Sequence, residues 1–426
     1  MHFDHTLESA RKLDATDELA RFRAEFLLDD PDLIYLDGNS LGCLPRRTIP
    51  HLLSAIEQGW GRRLVRVWRE GWMEAPLVLG SKLARLLGAR EDEVLISDST
   101  SVNLFRLAIA AARARPGRHR IVSDELNFPS DLHVLQGVVD LLGVGYRLEL
   151  VSSPDGVSMP ADAIAKALDA STALLALTHV AYKSGYLYDM AEITARAQRS
   201  GALVLWDLSH SVGAVPLDLN GCGVDLAVGC SYKYLNGGPG APAFLYVKRE
   251  LQGLLRQPVW GWLGSRHPFA FDMKFDPAPG IAKFRVGTAP MLSMQALEPG
   301  IDLLLEAGMD RLRRKSVTQT EYLIFLAQQW LTPLGFTVGS PLDAAQRGSH
   351  VSLQHPEAYR ITQEMIEPAS SSLRVIPDFR EPDNVRLAAA PLYNTFSEIH
   401  QAIARIRDIV VEGSYRRRSV EKQAVT

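Results

Sequence analysis

Cysteine is almost missing from these 426 residues: only Cys43, Cys222 and Cys230 occur. The number is odd, and no two stand at zinc-ligand spacing. A disulfide framework and a metal centre are therefore not expected, and no residue is assigned as a metal ligand. Such sparing use of cysteine suits a reducing, cytoplasmic compartment. Long apolar runs are lacking too. No stretch approaches the roughly 18 apolar residues of a membrane span, and Thr172–Leu177 reads instead as a short buried strand. Met1 to Ala20 is dense in charge and has no apolar core of the signal-peptide kind. Charge of one sign is also absent: 46 Lys and Arg oppose 49 Asp and Glu, a net of -3. Neither nucleic acid nor an anionic membrane is expected as a partner. No repeat recurs at a fixed period.

What is present is apolar mass, 46% of the chain, enough for a large core and more than one domain. Short apolar runs predict strands at Glu93–Ser97, Arg120–Ser123, Tyr146–Val151, Ala173–Thr178, Leu203–Asp207, Leu226–Cys230 and Ala243–Val247. Amphipathic runs predict helices between them at Val102–Arg115, Asp131–Leu142, Ala161–Asp169 and Met190–Ser200. This alternation predicts an α/β fold: a mainly parallel seven-stranded sheet with helices on both faces. The expected division is an N-terminal segment 1–50 that contributes to the active site, a large domain 51–297, a small C-terminal α+β domain 298–412 and a frayed tail 413–426. The small domain should hold one long helical segment at Leu303–Leu331, strands near His350–Leu353 and Leu373–Ile376, and a last helix at Ser397–Val411. The segment Pro258–Pro290 is rich in Gly, Pro and aromatics. It is expected to be an active-site loop or a subunit contact.

Ligands of such sheets bind beyond the carboxyl ends of the strands. Three strand ends carry unusual chemistry here: Thr178-His179, then Asp207-Leu208-Ser209-His210, then Ser231-Tyr232-Lys233-Tyr234-Leu235-Asn236 and a Gly-rich turn. Lys233 differs from a surface lysine in its aromatic flanks. One crossover unit separates it from Asp207, so the two can face one another across a single ligand. Pyridoxal phosphate makes matching demands: an amine for its aldehyde and an acid beside its ring nitrogen. A carboxylate about 4 Å from a pyridinium is worth on the order of 4 kcal/mol at an effective dielectric of about 20. That favours the protonated ring by up to about three pK units, less desolvation.

These stretches resemble the class V aminotransferase-like branch of fold-type-I pyridoxal-phosphate enzymes. Tyr35-Leu36-Asp37-Gly38-Asn39-Ser40-Leu41-Gly42, Ser101-Val102-Asn103-Leu104, Phe128-Pro129-Ser130-Asp131, Gly261-Trp262-Leu263-Gly264 and Val385-Arg386 with Ala390-Pro391-Leu392-Tyr393-Asn394 narrow the resemblance to the kynureninase family. The matches keep the family's order over nearly the whole chain. The resemblance implies that Lys233 forms a Schiff base with the cofactor and that Asp207 pairs with its ring nitrogen, His210 beside it. It implies that Phe128 packs on the ring and that Asp131 shares the same turn. Thr100, Ser101, Tyr232, Trp262 and Thr288 would serve the phosphate, and Thr178 the 3-hydroxyl. Arg386 would clamp the substrate carboxylate, with Ser40 and Trp68 also at the substrate. Tyr232 is the expected proton donor to Cβ. The implied reaction is hydrolytic Cβ–Cγ cleavage of L-kynurenine, or of its 3-hydroxy form, to anthranilate or 3-hydroxyanthranilate and L-alanine. Its implied setting is tryptophan catabolism, with NAD supply one outlet. A homodimer with active sites at the interface is implied as well, in which the segment around Trp262 and Thr288 reaches the neighbouring subunit's phosphate. The sequence departs from some relatives at Ser101 (often Thr), Thr288 (Asn in some) and Trp68 (His in some), which leaves open the choice between the two substrates.

Three other readings stay open on residues alone. One is a cysteine desulfurase or aminotransferase of the same branch. Another is a serine hydrolase built on Ser209, His210 and Asp207, though no Gly-x-Ser-x-Gly elbow is present. The third is a non-catalytic protein of the same fold.

Overall fold

The structure is a computed structural model and describes residues 3–422. After a short strand β1 (Leu33–Tyr35), seven strands follow: β2 (Val94–Ile96), β3 (Arg120–Asp124), β4 (Arg147–Val151), β5 (Thr172–Thr178), β6 (Leu203–Asp207), β7 (Leu226–Gly229) and β8 (Phe244–Val247). They form one sheet in the order β2-β8-β7-β6-β5-β3-β4, in which β8 alone runs against its neighbours. All seven predicted strands are therefore present, within a residue or two of their expected ends.

Side-chain alternation along these strands splits the apolar residues into two cores. Leu174, Ala176, Leu203, Leu205 and Val228 face the helices Thr100–Arg113 and Pro129–Leu142. Leu175, Leu177, Val204, Trp206 and Ala227 face the helices Ala75–Leu87, Met190–Ser200 and Met291–Ala307. β5 is buried at every residue, as a strand covered on both faces must be.

Two helices begin earlier than the apolar pattern predicts. Ser99 accepts a bond from the backbone N–H of Val102 and so starts a helix at Thr100. Pro129, pre-set for helical φ, starts the next. Thr100, Ser101 and Asp131 consequently stand in first helical turns.

The small domain carries β9 (Thr337–Val338), β10 (Val351–Gln354), β11 (Arg374–Ile376), β12 (Asp378–Arg380) and β13 (Asn384–Leu387). An antiparallel sheet runs β12-β13-β10-β9, while β11 pairs in parallel with β1. Three expectations need correction. The long helix predicted through Leu303–Leu331 is two helices, Met291–Ala307 and Met309–Trp330, broken at Gly308 (φ 79°, ψ 128°). The boundary expected at 297/298 falls inside the first of these, whose Met294, Leu297, Ile301 and Leu304 join the large core; the chain changes core only beyond Gly308. The tail does not fray from residue 413: Tyr415 is buried in the small core and Arg418 Nε bonds Glu364 at 2.7 Å. Residues 423–426 lie outside the described residues. The N-terminal segment straddles both cores, with Ala10, Ile34 and Leu36 in the small one and Leu19, Phe22 and Phe26 in the large one.

Candidate active site

β4 lies on one side of β3 and β5 on the other, so the chain steps outward from β3 to β4 and then back past β3 to β5, reversing its direction of winding. A crevice opens beyond the carboxyl ends of strands at such a reversal. β5 and β6 pair in register with Thr178 beside Asp207. Asp207 is buried; its Oδ1 accepts from the Ser209 amide at 2.8 Å and from Ser209 Oγ at 2.6 Å. Ser209 Oγ in turn accepts from Cys230 N at 3.0 Å, which ties the end of β6 to the end of β7.

Asp131 arrives from the first turn of the helix that begins at Pro129, also buried and next to Asp207. Burial and the Asp207 charge push its carboxyl well above the usual range. Its Oδ2 has no hydrogen-bond partner. Two adjacent buried carboxyls with an unmet oxygen lack a cation or N–H donor between them. A protonated pyridine nitrogen supplies one, so the donor set fits pyridoxal phosphate on this observation. Lys233 Nζ lies 2.9 Å from His210 Nε2, 5.9 Å from the centre of the Phe128 ring and 5.8 Å from that of Tyr232. Phe128 stands edge-on to Tyr182 at 5.2 Å. Ser101 Oγ meets Ser130 Oγ at 3.3 Å, so the first turns of two helices come together beside this cluster; Thr100 precedes Ser101. Thr178 Oγ1 donates to the Val180 carbonyl at 3.1 Å and keeps a lone pair free. Burial and Cys230 raise the Tyr232 phenol above its ordinary value, so it stays protonated.

The small-domain sheet contributes Arg386, 1% exposed. Its fork is anchored by an ion pair to Asp378, by Nη2 donating to Ser40 Oγ at 2.9 Å and by Nη1 donating to the Tyr182 carbonyl at 2.6 Å. Asn39, with its amide turned as its neighbours require, accepts from Arg386 Nε at 3.0 Å and donates to Asp37 at 3.1 Å. Burial and Asp378, opposed by Arg386, bring Asp37 up to about 7. The Asp37–Ser40 turn thus reaches the site through Arg386. Gly42 closes the join: its N–H donates to the Tyr232 carbonyl at 2.8 Å, and a Cβ there would stand 2.2 Å from the Lys233 carbonyl oxygen.

Three expected site residues stand elsewhere. Trp68, Trp262 and Thr288 line a separate apolar cavity of about 670 Å³ with Val65, Met73 and Phe269, and no residue of the Lys233 cluster borders it. Residue-level reading also missed Asp378, Tyr182 and His350. Nothing in their local sequence marks the first two, while His350 follows the short Arg347-Gly348-Ser349 turn and lies 5.6 Å, ring to ring, from His210.

The geometry bears on the rival chemistries. Ser209 bonds Asp207 directly and His210 faces Lys233, so no Asp–His–Ser relay forms. Cys43 and Cys230 are buried and Cys222 half-buried. Burial pushes all three thiols up, Cys43 to about 12, so none is a ready thiolate.

Comparison with known proteins agrees with this arrangement. The family model "Aminotransferase class-V" matches residues 78–357, and "Kynureninase C-terminal domain" matches residues 312–406. The kynureninase of Pseudomonas fluorescens is 43% identical over 403 residues, covering 93% of this chain and 94% of the relative. That of Burkholderia mallei (strain SAVP1) is 43% identical over 416 residues, covering 96% and 97%. Among solved structures, an apo cysteine desulfurase from Thermococcus onnurineus NA1 superposes with a TM-score of 0.78 at 18% identity, covering 92% of this chain and 98% of that one. That likeness establishes the fold, whereas the near-full-length identity establishes the family. The chain belongs to the kynureninase family, on the class V aminotransferase fold.

Proposed function

We infer that the chain cleaves L-kynurenine by hydrolysis of its Cβ–Cγ bond, yielding anthranilate and L-alanine, with pyridoxal phosphate as cofactor. The observation that carries the reading is the buried Asp131–Asp207 pair, one oxygen unmet, in one cluster with the Lys233 amine. Lys233 holds the cofactor through its amine. Asp207, with Asp131 beside it, holds the proton on the ring nitrogen, Phe128 packs on the ring with His210 adjacent, and Thr178 stands by the 3-hydroxyl. Thr100, Ser101 and Tyr232 serve the phosphate. When bound, the cofactor supplies an electron sink joined to the substrate's amino nitrogen.

The chain's own groups do the rest. Arg386, steadied by Asp378 and Ser40, orients the α-carboxylate. Lys233, once the substrate amine has taken its place, removes the proton from Cα. Water adds to the carbonyl carbon Cγ; collapse of the hydrate breaks Cβ–Cγ and leaves the electron pair on Cβ. Tyr232, kept protonated by burial, delivers the proton that Cβ needs, and Lys233 then returns a proton to Cα so that alanine can leave. Trp68, which lines the cavity apart from Lys233, would meet the aromatic part of the substrate across the subunit interface.

The working unit in this reading is a homodimer. Support comes from the cavity of Trp262 and Thr288, which the Lys233 cluster does not border, and from the exposed aromatics Trp260, Phe269 and Phe271 near it. The second subunit's copies of Trp262 and Thr288 would complete the phosphate site. The three free thiols suit a cytoplasmic enzyme, and the reaction belongs to tryptophan breakdown, feeding anthranilate or NAD supply. The test is incubation of the cofactor-loaded protein with L-kynurenine while anthranilate fluorescence is followed. Release of anthranilate and alanine in equal amounts is expected. No anthranilate, together with sulfur release from cysteine, would shift the assignment to a desulfurase.

A further inference from the structure

Two buried histidines meet behind Lys233, and one of them has no role in the reading above. Val351 pairs with Leu387 and Ser352 with Arg386 across β10 and β13. His350, immediately before β10, alternates onto the face shared by Ser352 and Arg386. Its ring is fully buried, and neither nitrogen has a hydrogen-bond partner. Its nearest ring contact is His210, 5.6 Å away at 57°. His210 also has one unpartnered nitrogen, Nδ1; its other, Nε2, faces Lys233.

We propose that His350 is a positioning residue that fixes the tautomer of His210, holding its proton on Nδ1 so that Nε2 stays an acceptor toward Lys233. An ammonium only donates, so Nε2 must accept whenever Lys233 is charged, and a neutral imidazole then carries its proton on Nδ1. That buried N–H needs an acceptor, and His350 is built to be one. The charged groups facing the two rings are Lys233, Arg386 and Arg380, all cations; together with burial they hold both imidazoles uncharged. A neutral His350 has one N–H and one bare nitrogen. The carbonyls of Ala181 and Tyr182 lie by its ring and favour its N–H, although neither ring nitrogen completes a hydrogen bond. Packing keeps the ring in place: a Cβ at Gly185 (φ 73°) would press on the His350 carbonyl oxygen at 2.8 Å and on its Nε2 at 3.3 Å. The partner of the far ring nitrogen commonly decides which nitrogen does the work.

The inference deepens the proposed function and rests on it only for turnover; the tautomer itself is read without substrate. The experiment is ¹⁵N NMR of ring-labelled histidine in the full-length, cofactor-free protein, with the His210 signal among the 11 histidines identified by its loss in His210→Asn. Wild-type His210 should show the Nδ1–H tautomer. His350→Leu should convert it wholly or partly to Nε2–H, and His350→Gln, whose amide oxygen also accepts, should restore Nδ1–H. In the loaded enzyme His350→Leu should lower kcat for L-kynurenine about 10-fold with KM little changed, and His350→Gln should recover most of it. A wild-type His210 protonated on Nε2, or a His350→Leu protein that keeps a pure Nδ1–H signal, overturns the proposal. Should His350→Leu fail to fold, the wild-type spectrum decides. An enzyme inert toward kynurenine that still shows this tautomer pattern would sink the functional reading and leave the inference standing.

Discussion

Asp207 and Asp131 show what burial does to one residue type in two settings. Asp207 receives two short bonds from Ser209. Asp131 has none on Oδ2 and is pushed toward the protonated form by its neighbour. Asn imitates a protonated carboxyl better than an ionised one. Asp207→Asn should therefore cost about 100-fold or more in kcat, on the scale of a lost electrostatic partner, and Asp131→Asn distinctly less. Equal losses in steady-state assays would remove the distinction. Asp37 offers a test by pH. Its ordinary value is 3.8 and its folded value about 7, so the folded state binds the proton more tightly than the unfolded one. That contribution to stability is complete below the unfolded pKa and is lost as pH rises from about 4 through 7. Urea midpoints at pH 5 and 7.5 should accordingly fall more for the wild type than for Asp37→Asn; parallel falls would contradict the assignment. Asp207 and Lys233 were legible in the sequence because strand ends announce themselves by apolar runs. Asp378 was not: its tie to Arg386 depends on the pairing of β12 with β13, which no local pattern specifies.

At the scale of elements, the site depends on how closely the Asp37–Gly42 turn lies against the Lys233 loop. A Gly42→Ala methyl would meet the Lys233 carbonyl oxygen at 2.2 Å and Asn236 Oδ1 at 2.5 Å, so backbone must move. The expected cost is about 1–3 kcal/mol of stability, with weaker cofactor retention, read by chemical denaturation and by the visible absorbance left after dialysis. Unchanged values on both would mean that the turn yields freely. The predicted strands stood because the interiors of β5 and β6 are continuous apolar runs bounded by polar residues. The predicted long helix failed at Gly308 because apolar spacing continues across a residue whose positive φ ends the helix. Helix starts at Thr100 and Pro129 were missed by two residues, since caps rather than apolar spacing set them.

Across the whole molecule, the expected site residues fall into two groups, one around Lys233 and one around Trp262 and Thr288. The family resemblance already implied that the second group serves the neighbouring subunit, and its distance from the Lys233 cluster within one chain accords with that reading. The proposed homodimer would reunite them, so the active species should sediment at twice the chain mass. Trp262→Ala should release cofactor more readily while far-UV circular dichroism stays unchanged; an active monomer would refute that arrangement. The proposed chemistry converges on the amine at position 233. The most direct measurement is borohydride reduction of the cofactor-loaded protein followed by peptide mapping. The account predicts one reduced pyridoxyl label, on Lys233, with Lys233→Ala both unlabelled and inert. A label on another residue, or anthranilate still formed by the Lys233→Ala protein, would contradict it.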